Sequence, residues 1–92
     1  MLTILITGAT SGIGLATATE LAACGHRVLL HGRTAEKLAA ARQQILDRLP
    51  DAGLGTYAAD LARQAEVRKL GAAVRAREER LDVLINNAGV WN

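Results

Sequence analysis

The residues of this chain with the most chemical content are three closely spaced glycines in an uncharged stretch. Thr7-Gly8-Ala9-Thr10-Ser11-Gly12-Ile13-Gly14 follows the apolar run Leu2 to Ile6 and opens a segment of small, helix-compatible residues reaching Cys24. A glycine turn between a strand and a helix leaves free backbone N–H groups at the helix N-terminus, where the helix dipole favours an anion. Gly8 suits the tight turn, Gly12 leaves the backbone room for a pyrophosphate, and Gly14 lets helix and strand approach closely. Taken alone these are also what ordinary turn and capping glycines look like. The strand–turn–helix setting is what turns the pattern into a candidate phosphate cradle.

The elements needed to position such a turn are legible along the rest of the chain. Leu2, Ile4, Leu5 and Ile6 predict a strand buried on both faces, and Gly25 stands where a helix C-terminal glycine belongs. Val28-Leu29-Leu30, ended by Gly32, predicts a second strand. Thr34 then offers an N-cap hydroxyl to a helix marked by Leu38, Ala41, Ile45 and Leu49, with Glu36 complementing the dipole in its first turn. Thr56–Ala59 predicts a third strand near a sheet edge, and after Asp60 a charged amphipathic helix carries Val67, Leu70 and Val74 on one stripe. Leu81–Ile85 completes the series as a fourth strand. Strands alternating with helices give a parallel sheet, because each parallel pairing needs a crossover.

Composition bounds the rest. The chain has 92 residues, half of them apolar, so it supports one core. Its eleven Lys and Arg are interleaved with nine acids for a net charge of +2, and its aromatic residues are Tyr57 and Trp91. Neither feature suits a nucleic-acid surface. The lone Cys24 cannot form an intrachain disulfide, so a reducing cytoplasm is expected, and Cys24 itself reads as a small buried hydrophobe in the last turn of the first helix. The uncharged N-terminus lacks the basic flank of a signal peptide, and no apolar stretch approaches the roughly 20 residues of a membrane span. His26 reads as a surface residue and His31 as a strand-end imidazole or a contact at an adenosine end. Neither has a metal-ligand partner at useful spacing.

Three motifs taken together resemble the short-chain dehydrogenase/reductase superfamily: Thr7-Gly8-x-x-x-Gly12-x-Gly14 after the first strand, Asp60-Leu61 after the third, and Asn86-Asn87-Ala88-Gly89 after the fourth. The resemblance covers the whole chain. It implies an α/β fold of the Rossmann type, truncated to four strands in the order 3-2-1-4 with three helices, and forming the N-terminal part of a dinucleotide-binding domain. It further implies that Gly8, Ala9, Thr10, Ser11, Gly12, Ile13 and Gly14 contact the cofactor phosphates and adenosine ribose. Asp60 and Leu61 border the adenine, and Asn86, Asn87, Ala88 and Gly89 line the sheet centre and the nicotinamide-side ribose. Asp60 equally suits an N-cap and the asparagines equally suit a plain turn; their coincidence in order carries the resemblance.

Cofactor choice follows from charge. A site for NAD places a carboxylate about 20 residues past the glycine turn to accept the ribose 2′-hydroxyl, and that carboxylate repels a 2′-phosphate. Here the place reads His31-Gly32-Arg33-Thr34, with no acid between Glu20 and Glu36. Arg33 presents a planar fork suited to phosphate, so NADP(H) is favoured over NAD(H), with Arg33 and Thr34 expected among the cofactor-binding residues. The His31-Gly32-Arg33 turn and the Leu81–Gly89 stretch resemble most the retinol dehydrogenase and protochlorophyllide reductase side of the superfamily.

The resemblance also implies a catalytic Tyr, a Lys four positions later that lowers its pKa, and a Ser that orients the substrate oxygen. These 92 residues hold one Tyr, Tyr57, followed at four positions by Leu61, and one Ser, Ser11, in the glycine turn; the last Lys is Lys69. The expectation is therefore a cofactor-binding part of an oxidoreductase, inactive alone. The alternatives are a non-catalytic nucleotide-binding or interaction module and a gene fragment without function. The fourth strand is expected to present an exposed apolar edge, open to a second copy or to a complementing C-terminal half.

Overall fold

The computed structural model describes residues 1–88. Strand β1 (Thr3–Ile6) is followed by helix α1 (Gly12–Ala23), β2 (Arg27–Gly32), α2 (Ala35–Arg48), β3 (Leu54–Ala58), α3 (Gln64–Arg77) and β4 (Val83–Ile85). All pairings are parallel, and the sheet runs β3-β2-β1-β4. That order brings the ends of β1 and β4 side by side, with the end of β2 next to them. Gly89 lies outside the described residues. Among those residues no helix is long and apolar enough to cross a membrane.

The sheet is sorted by the two-residue period of its strands. Ile4, Ile6, Val28 and Leu30 face α1 and α2, where they meet Ala18, Ala22, Leu38 and Ile45. Leu5, Leu29 and Tyr57 face the other way, onto Leu70 and Val74 of α3. Helix α1 buries Gly14, Ala18 and Ala22, one residue per turn and all small, so it lies close against the strands. Helix α2 starts as its sequence predicts: Thr34 Oγ1 accepts the Lys37 N–H at 3.2 Å, and Glu36 sits in the first turn.

Several expectations need correction. Cys24 is exposed: it stands two residues past Ala22, about 200° around the helix from the buried stripe. Val67 is 45% exposed, on the wall of an open groove, while Leu70 and Val74 are buried. Helix α3 is capped at Arg63, and Asp60 instead closes a turn of its own, with Oδ1 accepting the Ala62 N–H at 3.0 Å. β1 begins at Thr3 and β4 at Val83, since Asp82 is occupied by Thr3: its carboxylate accepts the Thr3 N–H at 2.8 Å and its own N–H donates to Thr3 O at 2.9 Å. β2 and β3 each run two or more residues longer or earlier than predicted, through the pairing of Val28 with Leu54 and Gly32 with Ala58. His26 is half-buried, and its Nδ1 accepts the Leu2 N–H at 3.0 Å.

Candidate functional site

The described residues of the predicted site lie on loops that leave the C-terminal ends of all four strands or, for Gly12, Ile13 and Gly14, in the first turn of α1, at the edge where open α/β sheets bind ligands. The glycine turn is built from two left-handed residues, Gly8 at φ 64° and Gly12 at φ 56°, a conformation a side chain disfavours. Around Gly12 a side-chain carbon would meet nothing within 4 Å, so the turn presents bare backbone to open space. Gly14 is constrained differently. A Cβ there would collide with Gly8 O and stand 2.7 Å from Asn87 Nδ2, so glycine is what allows α1 to start directly beneath β1.

Ser11, the N-cap of α1, makes no side-chain cap hydrogen bond. The first-turn N–H groups are thus left without the usual side-chain oxygen. Ile13 beside them is 78% exposed, an apolar side chain with nothing from the described residues over it. Open N–H groups, a positive dipole end and an adjoining apolar surface are the donor set an anionic, ring-bearing ligand needs.

Thr7 ties this turn to the end of β4. Its hydroxyl, on a residue only 5% exposed, accepts from the N–H groups of Asn87 at 2.9 Å and Ala88 at 3.0 Å, and donates to Asn86 Oδ1 at 3.2 Å. Both lone pairs and the proton are therefore used. Asn87 Nδ2 donates to Gly8 O at 3.1 Å. On the other side, Gly8 N–H donates to His31 Nδ1 at 3.0 Å, and Ala9 N–H to His31 O at 2.8 Å. Thr10 packs its methyl over Gly32. Thr7 and His31 hold the turn in place, and the motif pattern does not single out either role; the signal would have been a hydroxyl and an imidazole placed at strand ends that a buried loop must satisfy.

Arg33, Asp60, Leu61, Asn86 and Ala88 share with Thr7 the wall of one open groove of about 1090 Å³. The groove continues between Leu5 and Leu84 of the sheet and Leu70 and Val74 of α3. Arg33 is exposed at the end of β2, and Thr34 next to it spends its hydroxyl on the α2 cap. Asp60 has its N–H taken by Glu66 Oε1 at 2.7 Å, which fixes the loop after β3. Ser11, Gly12 and Ile13 lie apart from the groove, at the outer end of the turn. At the opposite end of the sheet, where Glu78 lines the far end of the groove, Arg27 and Glu78 form a two-pronged ion pair, both contacts 2.7 Å. The Arg27 guanidinium holds the Glu78 carboxyl below its ordinary value.

A four-stranded parallel sheet in this order, with a glycine turn leading from β1 into α1, defines a Rossmann-like α/β architecture. Comparison with known proteins carries the assignment further. The family model for short chain dehydrogenase matches residues 2–92, and the chain belongs to that family. It is 41% identical over 88 residues to retinol dehydrogenase 13 of Homo sapiens, covering 96% of this chain and 27% of the relative. It is 40% identical over 87 residues to levodione reductase of Leifsonia aquatica, covering 95% and 33%. Among solved structures, a levodione reductase matches with TM-score 0.88 at 39% identity, over 97% of this chain and 34% of that one. A metagenomic short-chain oxidoreductase in complex with NADP matches with TM-score 0.86 at 37% identity, over 97% and 39%. The chain thus spans about a third or less of the length of these relatives.

Proposed function

We propose that this chain is the dinucleotide-binding N-terminal part of an NADP(H)-dependent oxidoreductase that moves hydride between nicotinamide and a carbonyl or alcohol. The observation that carries the reading is the open turn: Gly8 and Gly12 left-handed, bare backbone at Gly12, and no side-chain cap on α1. Residues Gly8 to Gly14 would hold the pyrophosphate and adenosine ribose, Asp60 and Leu61 the adenine edge, and Asn86 to Ala88, with Gly89, the nicotinamide-side ribose. The bound dinucleotide supplies the hydride. The protein's part is to orient it and to exclude water.

Arg33 selects the phosphorylated cofactor. It is the only charged side chain on the run between β2 and α2 before Glu36, it is exposed, and no carboxylate competes with it at the strand end. Replacing Arg33→Asp is expected to weaken NADPH binding by tenfold or more, on the order of the strength of a charge-assisted contact, with NADH binding unchanged or improved. Titration of both dinucleotides by calorimetry checks this. Equal losses for the two would remove the 2′-phosphate role from Arg33.

Carbonyl chemistry in this family needs a Ser, Tyr and Lys set that the 92 residues do not contain, so turnover is assigned to a chain that includes it. A second reading is favoured by one observation. Among the described residues β4 has a partner on one side only, and Leu84 and Val83, on its two opposite faces, remain 57% and 37% exposed. The length of the relatives supports a complementing C-terminal portion as the occupant of the space beside β4, in which case the domain becomes whole only in the longer chain.

A further inference from the structure

His31 is buried, 2% exposed, at the end of the second strand, and both of its ring nitrogens are engaged by backbone. Nδ1 lies 3.0 Å from Gly8 N and Nε2 lies 2.9 Å from Ala59 O. A backbone N–H only donates, so Nδ1 must accept; a carbonyl only accepts, so Nε2 must donate. One species of imidazole satisfies both, the neutral ring with its proton on Nε2. The main chain adds two more ties: His31 O accepts the Ala9 N–H at 2.8 Å, and Gly32 O accepts the Ala59 N–H at 3.0 Å.

We propose that His31 is a positioning residue for the dinucleotide, its neutral Nε2–H imidazole spanning the glycine turn and the Asp60 loop and so setting the distance between the phosphate cradle and the adenine edge. The proposal rests on the dinucleotide reading of the site. It goes beyond that reading in assigning the geometry of two binding loops to a buried side chain that makes no contact with ligand. A ring carrying protons on both nitrogens would direct N–H against N–H at Gly8, and the turn would give way on the side that faces the phosphates. Dinucleotide affinity therefore depends on the charge of a group the ligand never touches.

The ionisable groups around the ring are few. Tyr57 pairs with it across the sheet. Asp60, next to Ala59, has its carboxylate on the Ala62 N–H, and Glu66 has its own on the Asp60 N–H. Arg33, two residues along, is exposed, and the glycine turn carries no ionisable side chain. A His31→Gln replacement keeps an acceptor and a donor on one amide and does not titrate.

The test uses the parent chain and His31→Gln. Nitrogen-15 NMR of the histidine rings without ligand is expected to show His31 protonated at Nε2 and bare at Nδ1, and the Gly8 amide to shift with the same midpoint as the ring when pH is lowered. NADPH affinity of the parent is expected to fall about tenfold more than that of His31→Gln once pH is lowered far enough for the ring spectrum to show the second proton; titration of the cofactor phosphate is common to both chains and cancels. An Nδ1-protonated ring, or a Gly8 amide indifferent to the ring's titration, overturns the proposal even if the variant fails to fold. Parallel pH profiles for the two chains overturn it as well. If neither chain binds NADPH at any pH, the cofactor reading fails, and the ring spectrum with the Gly8 amide still decides whether His31 holds the turn.

Discussion

The two faces of the sheet are finished to different degrees. On the side of α1 and α2, Ile6, Val28, Leu30 and Ile45 are all but sealed from solvent, with exposures of 0% to 1%. On the side of α3, Leu5 and Leu29 are sealed, but one strand over, Leu84, in register with Leu5, is 57% exposed. Composition separates them in part, since the α3 side also carries Thr3, Arg27 and His31. Cover differs too: α1 and α2 seal three strands on one side and leave Val83 at the β4 edge 37% exposed, whereas α3 alone leaves Leu84 more open on the other. An apolar strand in a parallel sheet expects cover on both faces, and among the described residues Leu84 has little.

That contrast can be broken most sharply at Ile45. Truncation Ile45→Ala on the sealed face is expected to cost about 3 kcal/mol, since a buried aliphatic side chain leaves both lost burial and a cavity. Urea denaturation followed by circular dichroism measures it, and a loss near zero would show that the α2 face is not the sealed one. The matching change on the bare face is expected to behave in the opposite way. Leu84→Ser should alter unfolding free energy by no more than about 0.5 kcal/mol, as exposed substitutions do, while lowering self-association in light scattering. If it destabilises the monomer as much as Ile45→Ala, the face is not open.

The smallest expected effect concerns the bond that closes α3 onto the sheet. Glu78, with its side chain 8% exposed against 34% for Arg27, is held below its ordinary value of 4.5, first by its hydrogen bond to Arg27 and then by that residue's charge. Because the folded-state value is the depressed one, the pair's contribution is complete above pH 4.5 and is lost as pH falls through the lower folded value. Glu78→Gln should therefore cost up to about 1 kcal/mol at neutral pH and progressively less below 4.5. Urea midpoints of parent and variant across pH would show the gap narrowing; a gap that widens in acid would contradict the assignment.

Much of the sheet was legible because β1, β2 and β4 each hold a short apolar run, whereas β3, with Gly55 and Thr56 inside it, is marked less clearly. Gly8 and Gly12 were legible as well, since left-handed turns leave a mark in residue type. What escaped depends on partners far along the chain. Nothing near His31 announces that its acceptor nitrogen serves Gly8, 23 residues earlier, or its donor Ala59, 28 residues later. Cys24 was misread because residue type was weighed without the helix phase that Gly14, Ala18 and Ala22 impose. Val67 fits the stripe of α3 in spacing, yet it lines the open groove, a position that helix periodicity does not mark. Thr34 carries two plausible roles in sequence, and its bond to Lys37 N–H shows the capping one.

The Thr7 hydroxyl links positions 80 and 81 residues apart, whereas β1 meets β2 across 24. Closing the longer loop costs about 1 kcal/mol more in chain entropy, and contacts of such separation slow folding. β1 and β2 can pair while the chain beyond them is still searching. The wall of Asn86 to Ala88 cannot be set until β4 has found β1, so its contacts with the glycine turn through Thr7 need the chain to be in place as far as Ala88.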